Sequence, residues 1–224
     1  MTSSVLLDLE TYAIDGVDAY IEPPQAPANY VNAEAIERYV AAARAKEIAK
    51  AALDPDTGRI VALAWQQDDR DSEPRVSTFK TEDEEARGLV EFWDDFNDGH
   101  KRILTFGGHR MDLPFLMRRS QALGVRYPYL RVDRNSPHLD LYRVLSFDDA
   151  IKGRKQSFYI KRYNLDADGC ITDTVTGADI ADLVKGDNWD AVANHCKCDV
   201  MRLYLIADWL GAINAREPDT DKPF

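Results

Sequence analysis

Asp8 and Glu10 stand two residues apart in the run Val5-Leu6-Leu7-Asp8-Leu9-Glu10-Thr11, and carboxylates in so apolar a segment call for a cation. If the run is a strand, alternation places Leu6, Asp8 and Glu10 on one face and Val5, Leu7 and Leu9 on the other. Neighbouring carboxylates on one face repel each other and resist leaving water unless positive charge sits between them. A divalent ion would supply that charge. Asp112 and Asp199 complete a cage if the fold brings them in, and hard oxygen donors of this kind suit Mg²⁺ or Mn²⁺. His195 precedes Asp199 by one helical turn, so the two share a face if that segment is helical. An Asp-x-Glu pair is weak on its own, and Asp112 could merely favour the start of a helix. The weight lies in the set.

The elements that must position these residues are legible. After the opening strand, residues 13–30 contain Pro23, Pro24 and Pro27 and read as irregular. Asn32 caps a helix over about 33–53. A turn at 54–58 leads to a strand over 59–67, which forms a hairpin with 75–80. Thr81, with Glu84 three residues on, starts a helix carrying Leu89, Val90, Phe92, Trp93 and Phe96. Residues 103–106 make a short buried strand broken by Gly107-Gly108, and a helix follows over 111–123. Leu139-Asp140-Leu141 reads as a last strand or as the approach to a helix. From there to Gly211 the pattern is helical with interruptions, its longest helix over about 189–210. Strands early and helices late predict a single α/β domain, a mixed β-sheet flanked by helices. The domain spans 1–212, with 13–52 a variable insertion and 213–224 a flexible tail.

The 224 residues suit one domain, and 45% hydrophobic with 30% charged residues is ordinary globular composition. No apolar run reaches the ~18 residues of a membrane span, and the first residues lead into a strand without a basic segment. Cys170, Cys196 and Cys198 fit a reducing compartment, so a cytoplasmic protein with no membrane partner is expected. His195-Cys196-x-Cys198 invites a zinc reading, but adjacent and i+2 positions on a helix point different ways. The net charge of −11 argues against a protein that grips long duplex by neutralising many phosphates. It leaves room for an enzyme holding a few nucleotides at a strand end, where bound metals change the local charge.

The chain resembles the DEDD 3′–5′ exonucleases of the DnaQ-like, ribonuclease-H-like superfamily, with its likeness toward the proofreading exonucleases related to family B DNA polymerases. The segments carrying it are Asp8-Leu9-Glu10-Thr11, Thr105 through Leu116 with Gly107-Gly108-His109-Arg110-Met111-Asp112, and His195-Cys196-Lys197-Cys198-Asp199. The resemblance implies two metal ions held by Asp8, Glu10, Asp112 and Asp199, with cleavage of the terminal phosphodiester to nucleoside 5′-monophosphates. It also implies that Thr11 touches the terminal nucleotide, and it places Gly108, His109 and Phe115 among the substrate contacts. The partner expected is a single-stranded DNA 3′ end, with RNA as the alternative and a polymerase or another replication or repair protein met in trans. An exoribonuclease or oligonucleotide hydrolase of the same fold, or a module that binds strand ends without cutting, are the other readings.

Three departures stand out. Members carry Tyr with three residues before the last Asp, or His with four, whereas His195 stands here with three. Histidines, titrating near 6.5, can act as general bases at neutral pH where tyrosines near 10 cannot readily do so; His195 is taken as the base or water-orienting group. Gly107 and Met111 replace a usual Asn and a usual aromatic residue. Some residues stay two-sided. His109 is either structural in its glycine turn or a contact. Asp140 is either an auxiliary acid or a cap. Lys152, Arg154, Lys155, Phe158, Tyr159, Lys161, Arg162 and Tyr163 either track a single strand or form a solvated helix with its aromatics in the core. Arg118-Arg119 is equally ambiguous.

Overall fold

The opening segment becomes a ten-residue strand, β1 (Ser4–Ala13), at the middle of a five-stranded sheet. In this computed structural model, which describes residues 3–69, 72–97, 102–128, 130, 136–166, 169 and 171–213, its partners are β2 (Gly58–Gln67), β3 (Arg75–Thr78), β4 (Arg102–Thr105) and β5 (His138–Asp140). The order across the sheet is β3-β2-β1-β4-β5. The first three strands are antiparallel neighbours, while β4 and β5 run parallel to β1. The sheet is therefore mixed, as the sequence pattern predicts.

Alternation along β1 divides the core in two. Val5, Leu7 and Leu9 join Ile60, Leu63, Trp65 and the helices α2 (Glu82–Asn97) and α3 (Asp112–Ala122). Leu6, on the other face, joins Val61, Leu104, Tyr159 and the long helix α7 (Trp189–Trp209) through Val192, Cys196, Val200 and Leu203. Thr81 and Glu84 form the reciprocal cap of α2: the Glu84 N–H donates to the Thr81 hydroxyl at 3.2 Å and the Thr81 N–H to the Glu84 carboxylate at 3.3 Å. Glu85 is fully buried. Its carboxylate takes two hydrogen bonds of 2.9 Å from the Arg119 guanidinium and one of 3.0 Å from the Ile60 N–H, so Arg119 is a core ion-pair partner. Arg118 pairs instead with Asp56 at 3.1 Å.

Within the expected insertion lies α1 (Ala33–Ala51), capped by the Asn32 side chain, which accepts from the Ala35 N–H at 3.2 Å. Only Ala51 of this helix is buried; its alanines, glutamates, arginines and lysines favour helix without a partner surface. Residues 139–141 turn out to be both things that the sequence suggested. Asp140 ends β5 and caps α4 (Leu141–Leu145), accepting from the Tyr142 N–H at 2.9 Å. The interrupted helices that follow are α5 (Gln156–Tyr163), α6 (Ile180–Lys185) and α7. Ile213 is buried and packs in the second cluster, so it belongs with the domain. The rest of the expected tail, like Cys170, lies outside the described residues.

Pairing of β1 with β4 runs only from Ser4 with Arg102 to Leu6 with Leu104. Asp8 and Glu10 lie beyond it, opposite Ala64 and Ala62 of β2. Two alanines keep the space above the acids clear, and β4 has ended before β1 reaches them. The chain leaving β4 turns beside that open edge and enters α3.

Candidate active site

The acid-bearing face of β1 looks toward α7. Val192, Cys196, Val200 and Leu203 anchor that helix in the core, and the Cys196 thiol donates to the Asp8 carbonyl at 3.4 Å. With that stripe facing the sheet, His195 and Asp199, one turn apart, border the acids. His195 Nε2 is 3.4 Å from Glu10 Oε1 and 3.9 Å from Asp199 Oδ2. One donor atom from each of Glu10, His195 and Asp199 lies within 4.8 Å of the others. Cys196 and Cys198 are buried free thiols, and Cys196 turns to the core rather than toward His195, which removes the zinc reading's geometry.

Asp112 enters from the third side at the first position of α3. Its loop is held by Asp140, whose two carboxylate oxygens accept from the Gly107 N–H at 2.7 Å and the His109 N–H at 3.2 Å. Gly108 is there for space. A Cβ on it would lie 2.4 Å from Asp112 Oδ2 and 2.4 Å from Thr105 Oγ1. Gly107, at φ 83°, adopts the left-handed backbone that glycine accepts without strain. Asp140 is thus a cap and a loop brace, and its charge is felt by Asp112.

Sequence reasoning missed two residues. Asp173, whose side chain is buried, lies 2.7 Å from His195 Nδ1. Burial would push Asp173 up, but hydrogen bonds from His195, the Val175 N–H and Arg202 hold it below the usual carboxylate range. An ionised carboxylate only accepts, so His195 donates through Nδ1, and in the neutral ring the Nε2 lone pair faces the acids. Arg202 bridges the same groups, bonding Asp199 Oδ1 through Nη1 and Asp173 Oδ2 through Nη2 at 3.1 Å. It stands three residues after Asp199 on α7, so helical spacing could have found it. Asp173 sits in irregular chain 22 residues before His195 and carries no such signal.

Burial and mutual repulsion make Asp8, Glu10 and Asp112 hold their protons. Asp8 is raised well above its ordinary value, by burial first and then by Asp199, Asp112 and Glu10. Glu10 is raised by burial and by Asp199, Asp112 and Asp173. Asp112 is pushed up to about 8 by burial, with Asp140 and Asp199 adding. Such a set ionises easily only beside added positive charge. Convergent hard oxygen donors of this reluctance fit a divalent-cation cage.

The remaining expectations divide. Thr11 follows a bulge after Glu10, and its hydroxyl donates to the Ala52 carbonyl, tying β1 to the end of α1. His109 is exposed near the site, with its ring stacked against His138 at 6.2 Å. Gly108 is buried under Asp112 and serves spacing rather than offering a contact surface. Phe115 is corrected outright: it is fully buried in the cluster beneath the sheet and cannot reach a substrate. In the basic–aromatic segment, Tyr159 goes to the core while Phe158 and Tyr163 stay partly exposed. Arg154 and Lys155 line a cleft of about 690 Å³ shared with Asp8, His195, Phe106 and Tyr142.

A family described as "predicted 3′-5′ exonuclease related to the exonuclease domain of PolB" matches residues 53–216, most of the chain. The chain belongs to this family. Asp112, Asp173, His195, Asp199 and Arg202 fall inside the matched part, and Asp8 and Glu10 precede it. This member of the PolB-related family is also similar to the family B DNA polymerase from the hyperthermophilic archaeon Pyrobaculum calidifontis. The TM-score is 0.60 at 16% identity, over 94% of this chain and 24% of that one. At that identity the likeness establishes the fold, a ribonuclease-H-like mixed sheet with flanking helices, and the chain spans about a quarter of the polymerase's length. No curated protein sequence matches it. Among the described residues no helix is long and apolar enough to cross a membrane.

Proposed function

We propose that this chain is a divalent-metal-dependent 3′–5′ exonuclease that shortens single-stranded or frayed DNA ends to nucleoside 5′-monophosphates. The observation that carries the reading is the meeting of Asp8, Glu10, Asp112 and Asp199 from three separated segments, with His195 beside Glu10 and Asp199. The four acids would hold two Mg²⁺ or Mn²⁺ ions, which when bound stabilise developing phosphoryl charge and ease ionisation of the attacking water. The remaining work belongs to the chain. His195 accepts the water's proton at Nε2, while Asp173 fixes the ring through Nδ1 and steadies the imidazolium that forms. Thr11 stands one residue past Glu10, with its hydroxyl oxygen still able to accept from the terminal nucleotide. Phe106 and Tyr142 offer ring faces to unstacked bases, and Arg154 and Lys155 attract the backbone. A cleft of this make-up favours a single strand over stacked duplex.

The test is digestion of 5′-labelled single-stranded DNA with Mg²⁺ or Mn²⁺, beside RNA of the same sequence, an EDTA control and Asp8→Ala. A metal-dependent ladder shortening from the 3′ end, lost in a folded Asp8→Ala, is the expected result. Folded wild-type protein that cuts neither strand under any metal would sink the catalytic reading and leave a binding module.

A further inference from the structure

Beyond the outer strand β5 lies a second hollow, of about 800 Å³, whose walls include His109, Leu113, His138, Arg143, Val144 and Phe147. It is separate from the cleft that holds the acids, yet built on the same loop: His109 belongs to the turn that Asp140 braces beside Asp112. We propose that this hollow is a nucleobase subsite, taking an unpaired base of the strand whose 3′ end lies at the acids, with Phe147 as its stacking surface. The proposal rests on the exonuclease reading and adds a place for the substrate away from the scissile bond.

Three observations lead to a flat, uncharged ligand. The first is the ring pair. His109 and His138 lie nearly parallel, with 12° between planes, and His138 Nε2 is engaged by Thr105 Oγ1 at 2.8 Å. Burial lowers His138 to about 4, so that ring is neutral at physiological pH. The second is that the two described arginines nearest the hollow already have acidic partners: Arg143 pairs with Asp148 at 2.7 Å and Arg110 with Asp149 at 3.0 Å.

The third is Phe147 itself. Its side chain is presented to solvent, the residue being 71% exposed, on a turn where Phe147, Asp148 and Asp149 have φ of 51°, 55° and 67°. Three consecutive non-glycine residues in the left-handed region are unfavourable and persist only where surrounding bonds over-determine them. Here the Asp148 N–H donates to the Arg143 carbonyl at 2.8 Å, the Asp149 N–H to Ser146 Oγ at 3.2 Å and the Ile151 N–H to the Ser146 carbonyl at 3.0 Å. The Arg110–Asp149 pair ties this turn to the loop leading into Asp112. A strained turn, fastened to the catalytic loop and displaying a phenyl ring beside stacked imidazoles, matches base stacking along a single strand.

The experiment is an abasic scan. DNA strands carrying one abasic site, moved in turn along the first several positions from the 3′ end, are digested with Mg²⁺ by wild type, Phe147→Ala and Phe147→Leu. The expected result is a rise in KM on the order of ten-fold at one position in wild type. That position should show no further penalty in either variant, because the ring and the base act together. Phe147 is exposed, so both variants should melt as wild type does. A flat scan by wild type that otherwise digests normally overturns the subsite while leaving the exonuclease standing, as does a scan in which no positional penalty is lost in Phe147→Ala and Phe147→Leu. Phe147-dependent binding of free dAMP alongside a flat scan also overturns it, assigning the hollow to a mononucleotide. Wild type that digests no strand removes the exonuclease reading and this subsite together.

Discussion

Replacing Asp112 with Asn should make the metal-free protein more stable at alkaline pH, by an amount that grows between about pH 5 and pH 8. In the folded chain Asp112 ionises near 8, against an ordinary 3.8. Between those values the unfolded chain has already released this proton while the folded chain keeps it. Stability therefore falls as pH rises through the window and levels off above 8. From pH 5 to pH 8 the loss from this one group comes to roughly 4 kcal/mol. Asp8 and Glu10 are raised as well and act in the same direction. Asn is neutral throughout, so Asp112→Asn loses this share of the slope. The opposing cost, an acid removed from the first turn of α3, is at most about 2 kcal/mol at a partly buried helix end, so relief of the buried charge wins. At roughly 2–4 °C per kcal/mol for a chain of this size, the metal-free variant should melt on the order of 10 °C above wild type at pH 8. The gap should be much smaller near pH 5. Thermal melts in EDTA across that range check it, and Mg²⁺ at pH 8 should raise wild type while moving the variant far less. Melting temperatures that run parallel across the pH range would refute the assignment of a proton-retaining, cation-seeking carboxyl at Asp112.

Two further outcomes follow from the same geometry. Asp173→Asn keeps the shape around His195 but removes the anion that fixes its tautomer; kcat should fall roughly 100-fold with KM little changed, as steady-state digestion would read. Gly108→Ala would drive a methyl to 2.4 Å from Asp112 Oδ2, so calorimetric titration with Mn²⁺ should show affinity lost while circular dichroism shows the fold retained.

Much of the frame is legible because it rests on local rules. The two faces of β1 follow from alternation, and they sort as expected into the two halves of the core. The Thr81–Glu84 cap and the β2–β3 hairpin follow from side-chain and turn chemistry. What fails is what depends on partners far away in sequence. Glu85 and Arg119 look like surface charges until α2 and α3 pack and enclose them as a pair. Phe115 sits three residues after Asp112 and looks like a neighbour of the site, but the helix turns it into the core beneath the sheet. Asp173 reaches His195 from irregular chain, where no periodicity exists to read. The four acids were legible because carboxylates in apolar or glycine-rich surroundings carry an electrostatic cost that needs a reason. A buried acid in a polar loop, such as Asp173, shows that cost only once the fold exists.

The acidic excess of the chain bears on its substrate differently once the charges are placed. The first turn of α2 alone carries Glu82, Asp83, Glu84 and Glu85, and this helix packs on the sheet face opposite α7 and the acid cluster. Exposed charges separated by more than the ~8 Å screening length of physiological salt act weakly on each other. A strand in the cleft would therefore meet a local set: Arg154 and Lys155 on the walls, Arg202 paired with Asp199 and Asp173, and an acid cluster whose bound metals would attract phosphate. The net charge of −11 then limits grip on long duplex, where many phosphates must be neutralised at once. It places little burden on a site that holds one strand end.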